Sequence, residues 1–195
     1  LKYMKKFLCF VFVLCFLLCS CGNNESKIID DLSMSLSPPI KMRLLITSEN
    51  INAEATVSFF YSNLAVTMRA EFISPDIISG LKIERHKDGR LFADYEGVIS
   101  ELDGKALNVV SASCDILQLI RDDLSTYGKV VDSIDERYGQ IDLDVNGKNV
   151  TLFFDKESKA ILRITSELFD LPVRIDIVDL ERIENTIDVT VGDIH

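Results

Sequence analysis

From Ile40 to Phe72 nearly every second residue is apolar. Ile40, Met42, Leu44 and Ile46 alternate with Lys41 and Arg43; Ile51, Ala53, Ala55, Val57 and Phe59 alternate with Asn52, Glu54, Thr56 and Ser58; Leu64, Val66, Met68, Ala70 and Phe72 alternate with Thr67, Arg69 and Glu71. A period of two places one set on each side of an extended chain, so each run is a half-buried strand with one apolar face. Short polar breaks, SEN and SN, separate the runs and suit hairpins.

The same pattern returns along the chain. Leu81 and Ile83 precede a turn at Lys87-Asp88-Gly89, and Leu91, Ala93 and Tyr95 follow it. Ile141, Leu143 and Val145 lead into Asn146-Gly147, and Val150, Leu152 and Phe154 lead out; Asn-Gly between alternating runs is a strong hairpin signal. Ala160, Leu162 and Ile164 predict one more strand, Val173, Ile175 and Ile177 another, and residues 129–135 form a weaker candidate. Two segments break the period. Residues 25–36 predict a short N-terminal helix that stops before Pro38. In residues 108–125, Val110, Cys114, Leu117, Ile120 and Leu124 recur at helical spacing, with Ser113, Gln118, Arg121 and Asp122 opposite them, which predicts one central amphipathic helix.

The expected class is therefore α+β, mostly β: an antiparallel sheet of about ten strands with two helices. Ten strands at about 4.8 Å spread to nearly 50 Å. Two helices, each about 10–12 Å across, shade less than half of that. Apolar surface left in water costs about 25 cal/mol per Å². The sheet must therefore bend strongly around the helices or fold into a two-layer sandwich.

The N-terminal segment predicts location. Lys5 and Lys6 precede an apolar run, residues 7–20, that is shorter than the roughly 20 residues needed to span a bilayer. Leu18-Cys19-Ser20-Cys21 resembles the lipobox of bacterial lipoproteins. That resemblance implies that residues 1–20 are a signal peptide, that Cys21 carries a diacylglycerol thioether, and that residues 21–27 tether a domain spanning 28–195 to the outer face of the cell membrane. Two acyl chains give stable attachment where one is marginal, and an extended GNNESK would reach at most about 20 Å. With Cys9, Cys15 and Cys19 in the leader, only Cys114 remains as a thiol, a small buried hydrophobe by expectation.

Lys2, Lys5 and Lys6 lie in the leader, which leaves 18 of the 21 basic residues against all 31 acidic ones, a formal charge of −13 from Cys21 onward. Nucleic acid is excluded as a partner class, since its binding needs clustered cations. Anionic headgroups would repel such a domain, so the lipid would have to do the holding.

Strands, one central helix, then strands, behind a lipoprotein leader, resemble the LolA/LolB-type carrier fold, a half-open barrel over an apolar cavity. The chain is also similar to small lipoproteins of spore-forming Gram-positive bacteria, the germination lipoprotein GerS type. The stretches that carry this are Ile73-Ser74-Pro75 with Gly80-Leu81, Tyr95-Glu96-Gly97, Leu152-Phe153-Phe154-Asp155 and Ile161-Leu162-Arg163-Ile164, within residues 40–180. The carrier likeness implies a lipid or the acyl chains of a lipoprotein as ligand. The germination likeness implies assistance to a cell-wall hydrolase acting on spore cortex peptidoglycan.

No constellation suggests an enzyme. Asp142-Leu-Asp144-Val-Asn146-Gly147 begins like an EF-hand loop, but its twelfth position is Phe153 where a bidentate Glu is needed, and a hairpin explains the same residues. His86 and His195 are the only histidines, too few for zinc or a triad with Cys114. No glycine-rich phosphate loop is present, and no cofactor is implied. Phe59, Phe60, Phe72, Phe92, Phe153, Phe154 and Phe169 are expected in the core, some lining any cavity. The expected function is non-catalytic: an apolar ligand held in a concave face, or a docking module for a cell-wall enzyme. If Cys21 is the anchor, Cys21→Ser should move the protein from the membrane to the soluble fraction on fractionation; unchanged partition would refute it.

Overall fold

The computed structural model describes residues 23–49, 51–62, 65–86, 89–102, 108–131, 135–145, 147–167 and 172–183. Helix α1 spans Asn23–Ser35. Strands β1 (Ile40–Ser48), β2 (Ile51–Ser62) and β3 (Ala65–Ser74) follow, then a single 3-10 turn at Asp76–Ile78. Next come β4 (Lys82–Arg85), β5 (Leu91–Tyr95), β6 (Val98–Glu101) and helix α2 (Asn108–Tyr127). The chain continues through β7 (Gly128–Val131), β8 (Tyr138–Val145), β9 (Lys148–Asp155), β10 (Ile161–Ser166) and β11 (Val173–Arg182).

Among the described residues, eleven strands form one antiparallel sheet in the order β6-β5-β4-β3-β2-β1-β11-β10-β9-β8-β7. Two meanders run away from a shared seam. There β1 pairs with β11 from Ile40 opposite Arg182 to Ser48 opposite Val173. The edges β6 and β7 do not pair, so the sheet stays open, and it is strongly curved as the count of strands against helices requires. Helix α2 makes the return from one edge to the other. Its 20 residues span about 30 Å, short of the roughly 48 Å of a flat sheet this wide. Curvature closes much of that difference.

The alternation in sequence becomes alternation in burial. Along β1, residues 40 to 46 read buried, exposed, buried, exposed, buried, exposed, buried. The inward side chains line up across strands, as in the row Met42, Val57, Ala70, Ile83 and Ala93 from β1 to β5. From the helices, Leu32 and Leu36 of α1 and Ile116, Leu117, Ile120 and Leu124 of α2 close over these rows. The expected helical face is largely right. Ile116 and Ser113 are also buried, which moves Ser113 from the predicted polar face into the interface. The side chain of Val110 lies outside the described residues.

Three bulges bend the sheet. The register slips once in each of three pairs, leaving Ile73 of β3, Leu162 of β10 and Val178 of β11 without a partner residue opposite. A bulge adds a residue to one strand and strengthens its local twist. It also explains why these three apolar side chains face water, at 44%, 36% and 53% exposure. On the outer side, ion pairs bridge neighbouring strands: Arg43 donates to Glu54 at 2.6 Å, Arg69 to Glu84 at 2.9 Å, and Arg163 to Asp176 at 2.6 Å. Each is largely solvated, so its stabilisation is at most about 1 kcal/mol.

Gly139 of β8 sits opposite Phe154 of β9, and the phenyl ring lies across it. A Cβ at Gly139 would fall within 2.2 Å of that ring. Because the ring is core and cannot swing out, Gly139→Ala should destabilise the domain by about 1–3 kcal/mol through overpacking. Urea denaturation would measure it, and Phe154→Leu in the same chain should recover part of the loss.

Candidate functional site

Three surfaces stand out once the core is accounted for. The first is the β6 edge. Glu96 (φ 53°) and Gly97 (φ 84°) are both left-handed and make the tight turn between β5 and β6, with Gly97 N–H donating to Asp94 Oδ1 at 2.9 Å. All four residues of β6 are exposed. Val98 and Ile99 project to opposite faces at 71% and 69% exposure, and half-exposed Tyr95 lies across from Val98. Since Leu102 N–H bonds Leu91 O, the antiparallel alternation turns the backbone groups of Ile99 and Glu101 toward the sheet's edge. Ile77, on the 3-10 turn, is 84% exposed and lies at the same end of the sheet, where β3 ends and β4 begins. Asp94, Glu96 and Glu101 make this edge acidic; among them Glu101 meets Arg90 at 3.5 Å.

The second surface is a groove of about 560 Å³ at the far ends of β1, β9, β10 and β11. Thr47, Arg174, Thr165 and Thr151 form one outward row across these four strands, and Asn149 and Glu167 complete a polar lining. The third is a cleft of about 340 Å³ between α2 and the β3–β4 end, lined in part by Arg85, His86, Gln118 and Arg121.

The predicted apolar receptor face is present but filled. Phe59, Phe72 and Phe154 are fully buried on it among the apolar side chains of both helices. Phe60 and Phe92 lie outside the core under guanidinium groups, Arg69 at 5.4 Å and Arg90 at 5.3 Å from the ring centres. Phe153 is partly buried on the outer face, so these three phenylalanines correct the core expectation. Phe169 lies outside the described residues, as do Cys21, the leader and His195.

The remaining candidates resolve individually. Cys114 is buried, and burial pushes its thiol up to about 12 against the opposing pull of Arg85, so the thiolate is suppressed. His86 packs against the Phe92 ring at 4.5 Å, and its Nε2 stands 3.6 Å from Glu84. Asp144 accepts from Gly147 N–H at 2.8 Å, and Asp142 accepts from Thr151 at 2.9 Å and Gln140 at 3.0 Å. The hairpin and sheet thus use both carboxylates of the calcium-like motif. Among the described residues no group of three or more His, Cys, Asp or Glu converges as for a metal, and no helix is long and apolar enough to cross a membrane. The strand β6 went unpredicted. Its sequence, VISE, carries only the Glu96-Gly97 turn as a signal.

No family model matches the sequence, and no curated protein does. Solved structures do. MucB aligns with a TM-score of 0.50 at 11% identity, over 84% of this chain and 60% of MucB, so the chain spans less than two thirds of that protein. An uncharacterized conserved protein from Thermus thermophilus aligns at 0.47 and 15% identity, over 82% of this chain and 88% of that one. A LolA superfamily protein from Nitrosomonas europaea aligns at 0.41 and 10% identity, over 81% and 93%. At these identities the likeness is one of fold, shared with MucB.

Asp155 holds the β9–β10 turn. It accepts from Ser158 N–H at 2.8 Å, Arg137 Nε at 3.1 Å and Glu157 N–H at 3.0 Å. These bonds, the Ser158 amide foremost, lower its carboxyl to about 2. An unfolded Asp titrates near 3.9. The stabilisation is therefore complete above about pH 4 and lost as pH falls toward 2. Asp155→Asn should lower the urea midpoint at neutral pH and flatten its decline between pH 4 and 2, measured across a pH series.

Proposed function

We propose that this protein is a lipid-anchored, extracytoplasmic interaction module whose β6 edge receives an extended segment of a protein partner. The observation that carries this is a contrast on one sheet. The concave face is filled by the chain's own side chains, while the β6 edge leaves Val98 and Ile99 in water. A strand added to an exposed edge gains main-chain hydrogen bonds, and alternate side chains select the sequence. Asp94, Glu96 and Glu101 favour a segment carrying Lys or Arg, which would also steer its approach. Cys21 would hold the module near the bilayer, where a cell-wall hydrolase works, the partner class that the germination-lipoprotein likeness implies. The module itself would supply no reacting group.

An apolar ligand in the concave face is the competing reading, and it requires displacing α1 or α2. One experiment separates them. A photo-crosslinking residue at Ile99 should trap a protein in the membrane fraction, the same residue at Thr151 should not, and Val98→Lys should abolish the product. Both positions are exposed enough that folding should change by no more than about 0.5 kcal/mol. Absence of a crosslinked protein, with a lipid recovered by mass spectrometry from the purified domain, would replace this proposal with the apolar-ligand reading.

A further inference from the structure

Strand β4 breaks the rule that governs the rest of the sheet. The inward row Ile40, Phe59, Met68, Arg85 and Leu91 runs across five strands, and four of its five members are apolar. The fourth is an arginine. Ile83 is fully buried, and the period of two then points Arg85 to the same side, toward α2. There Asp115 of α2 pairs with one of its terminal nitrogens. From the helix, Arg121 comes down on the same row, its guanidinium 5.4 Å from the Phe59 ring centre. Asp122 holds Arg121 through two bonds at 2.8 and 2.6 Å, and Gln118 donates to Asp122 at 2.6 Å. Two cations thus meet over one apolar row in a chain whose net charge is −10.

Both line the cleft between α2 and the β3–β4 end, beside Ala65 and Val66. The carboxylates fix each guanidinium from one side only. Arg85 Nε and Arg121 Nη1 are buried and meet no acceptor. A buried charged donor without an acceptor is costly, more so than the 1–3 kcal/mol or so of a neutral one, so a group that accepts from both would be held firmly. Planar guanidinium forks match oxyanions better than any other class of ligand.

We propose that this cleft is a receptor for an oxyanion, a carboxylate or phosphate group held between Arg85 and Arg121, with its substituent against Ala65 and Val66. The two free N–H groups sit behind the cleft's surface, so the guest meets them as the guanidinium planes turn. The site is independent of the β6 edge. It lies on the inward side under α2, and its binding does not depend on strand addition.

The test uses the domain from residue 22 to 195, which contains every element of the sheet. Sodium phosphate and sodium acetate are titrated separately against chloride at constant ionic strength, with the arginine Nε–H signals followed by NMR. One of the two anions should shift the Arg85 and Arg121 signals along a saturable curve, and the anion that saturates first names the head group. Arg121→Gln should weaken that binding about tenfold or more, the loss of a charge-assisted pair. Arg121→Lys should weaken it less, because the charge stays and only the fork is lost. Shifts that rise linearly with both anions, or that persist equally in Arg121→Gln, would overturn the proposal. The wild-type titration decides the matter even if a variant fails to fold.

Discussion

The pairing of β1 with β11 is the contact on which the architecture rests. It joins the first long strand to the last, so each half of the chain is a local meander and this seam alone makes them one sheet. Closing it costs the entropy of bringing together residues some 140 positions apart, a cost that grows only with the logarithm of loop length. Its return is a continuous inward face, since Ile40, Met42, Leu44 and Ile46 gain neighbours on both sides. Arg182 reinforces the seam from its end by donating to the Met34 carbonyl of α1 at 2.9 Å, which ties the first helix to the last strand. Without the seam, each half would expose an apolar strand edge and lose the concavity that α2 crosses.

Curvature then follows from a shortage of cover, and the bulges show how it is achieved. The alternation in the sequence was legible because burial on one side only forces it. The bulges were not. Phe72-Ile73, Ile161-Leu162 and Ile177-Val178 are apolar doublets, and in each the second residue is the one squeezed outward. Yet Leu44-Leu45 and Phe59-Phe60 are also doublets and keep their register between β1 and β2. The doublet alone does not encode a bulge, because the slip is decided by what the neighbouring strand offers.

The same limit applies to the candidate sites. The helix over residues 108–125 was readable from its period, and so was its burial of Leu117, Ile120 and Leu124. Arg85 looked like an ordinary polar residue before a turn. Its inward direction becomes visible only when the register of β4 is known, because a strand of four residues carries too few alternations to fix a phase. The β6 strand is hidden for a related reason. VISE pairs two apolar residues side by side, one for each face, which fits neither a half-buried strand nor a loop. A period reports burial, and neither segment is buried on one side.

These two irregularities sit in the same half of the sheet, and their position has a physical origin. Toward β8 to β10 the inward rows are uniformly large and apolar, with Ile141, Leu152, Phe154 and Ile164 fully covered. Toward β4 to β6 the strands shorten to four or five residues. Ala93 and Leu91 keep some exposure, and by β6 nothing is covered. A fold that needed only stability would spread its cover evenly, since the last exposed apolar side chains are the cheapest to protect. Here cover is concentrated at the seam and the second meander, and withdrawn from the first meander's edge. The rigid half can then hold the sheet's shape while polar and apolar groups at the other half remain available for contact. A separation of this kind keeps binding surfaces from drawing on the interactions that hold the domain folded.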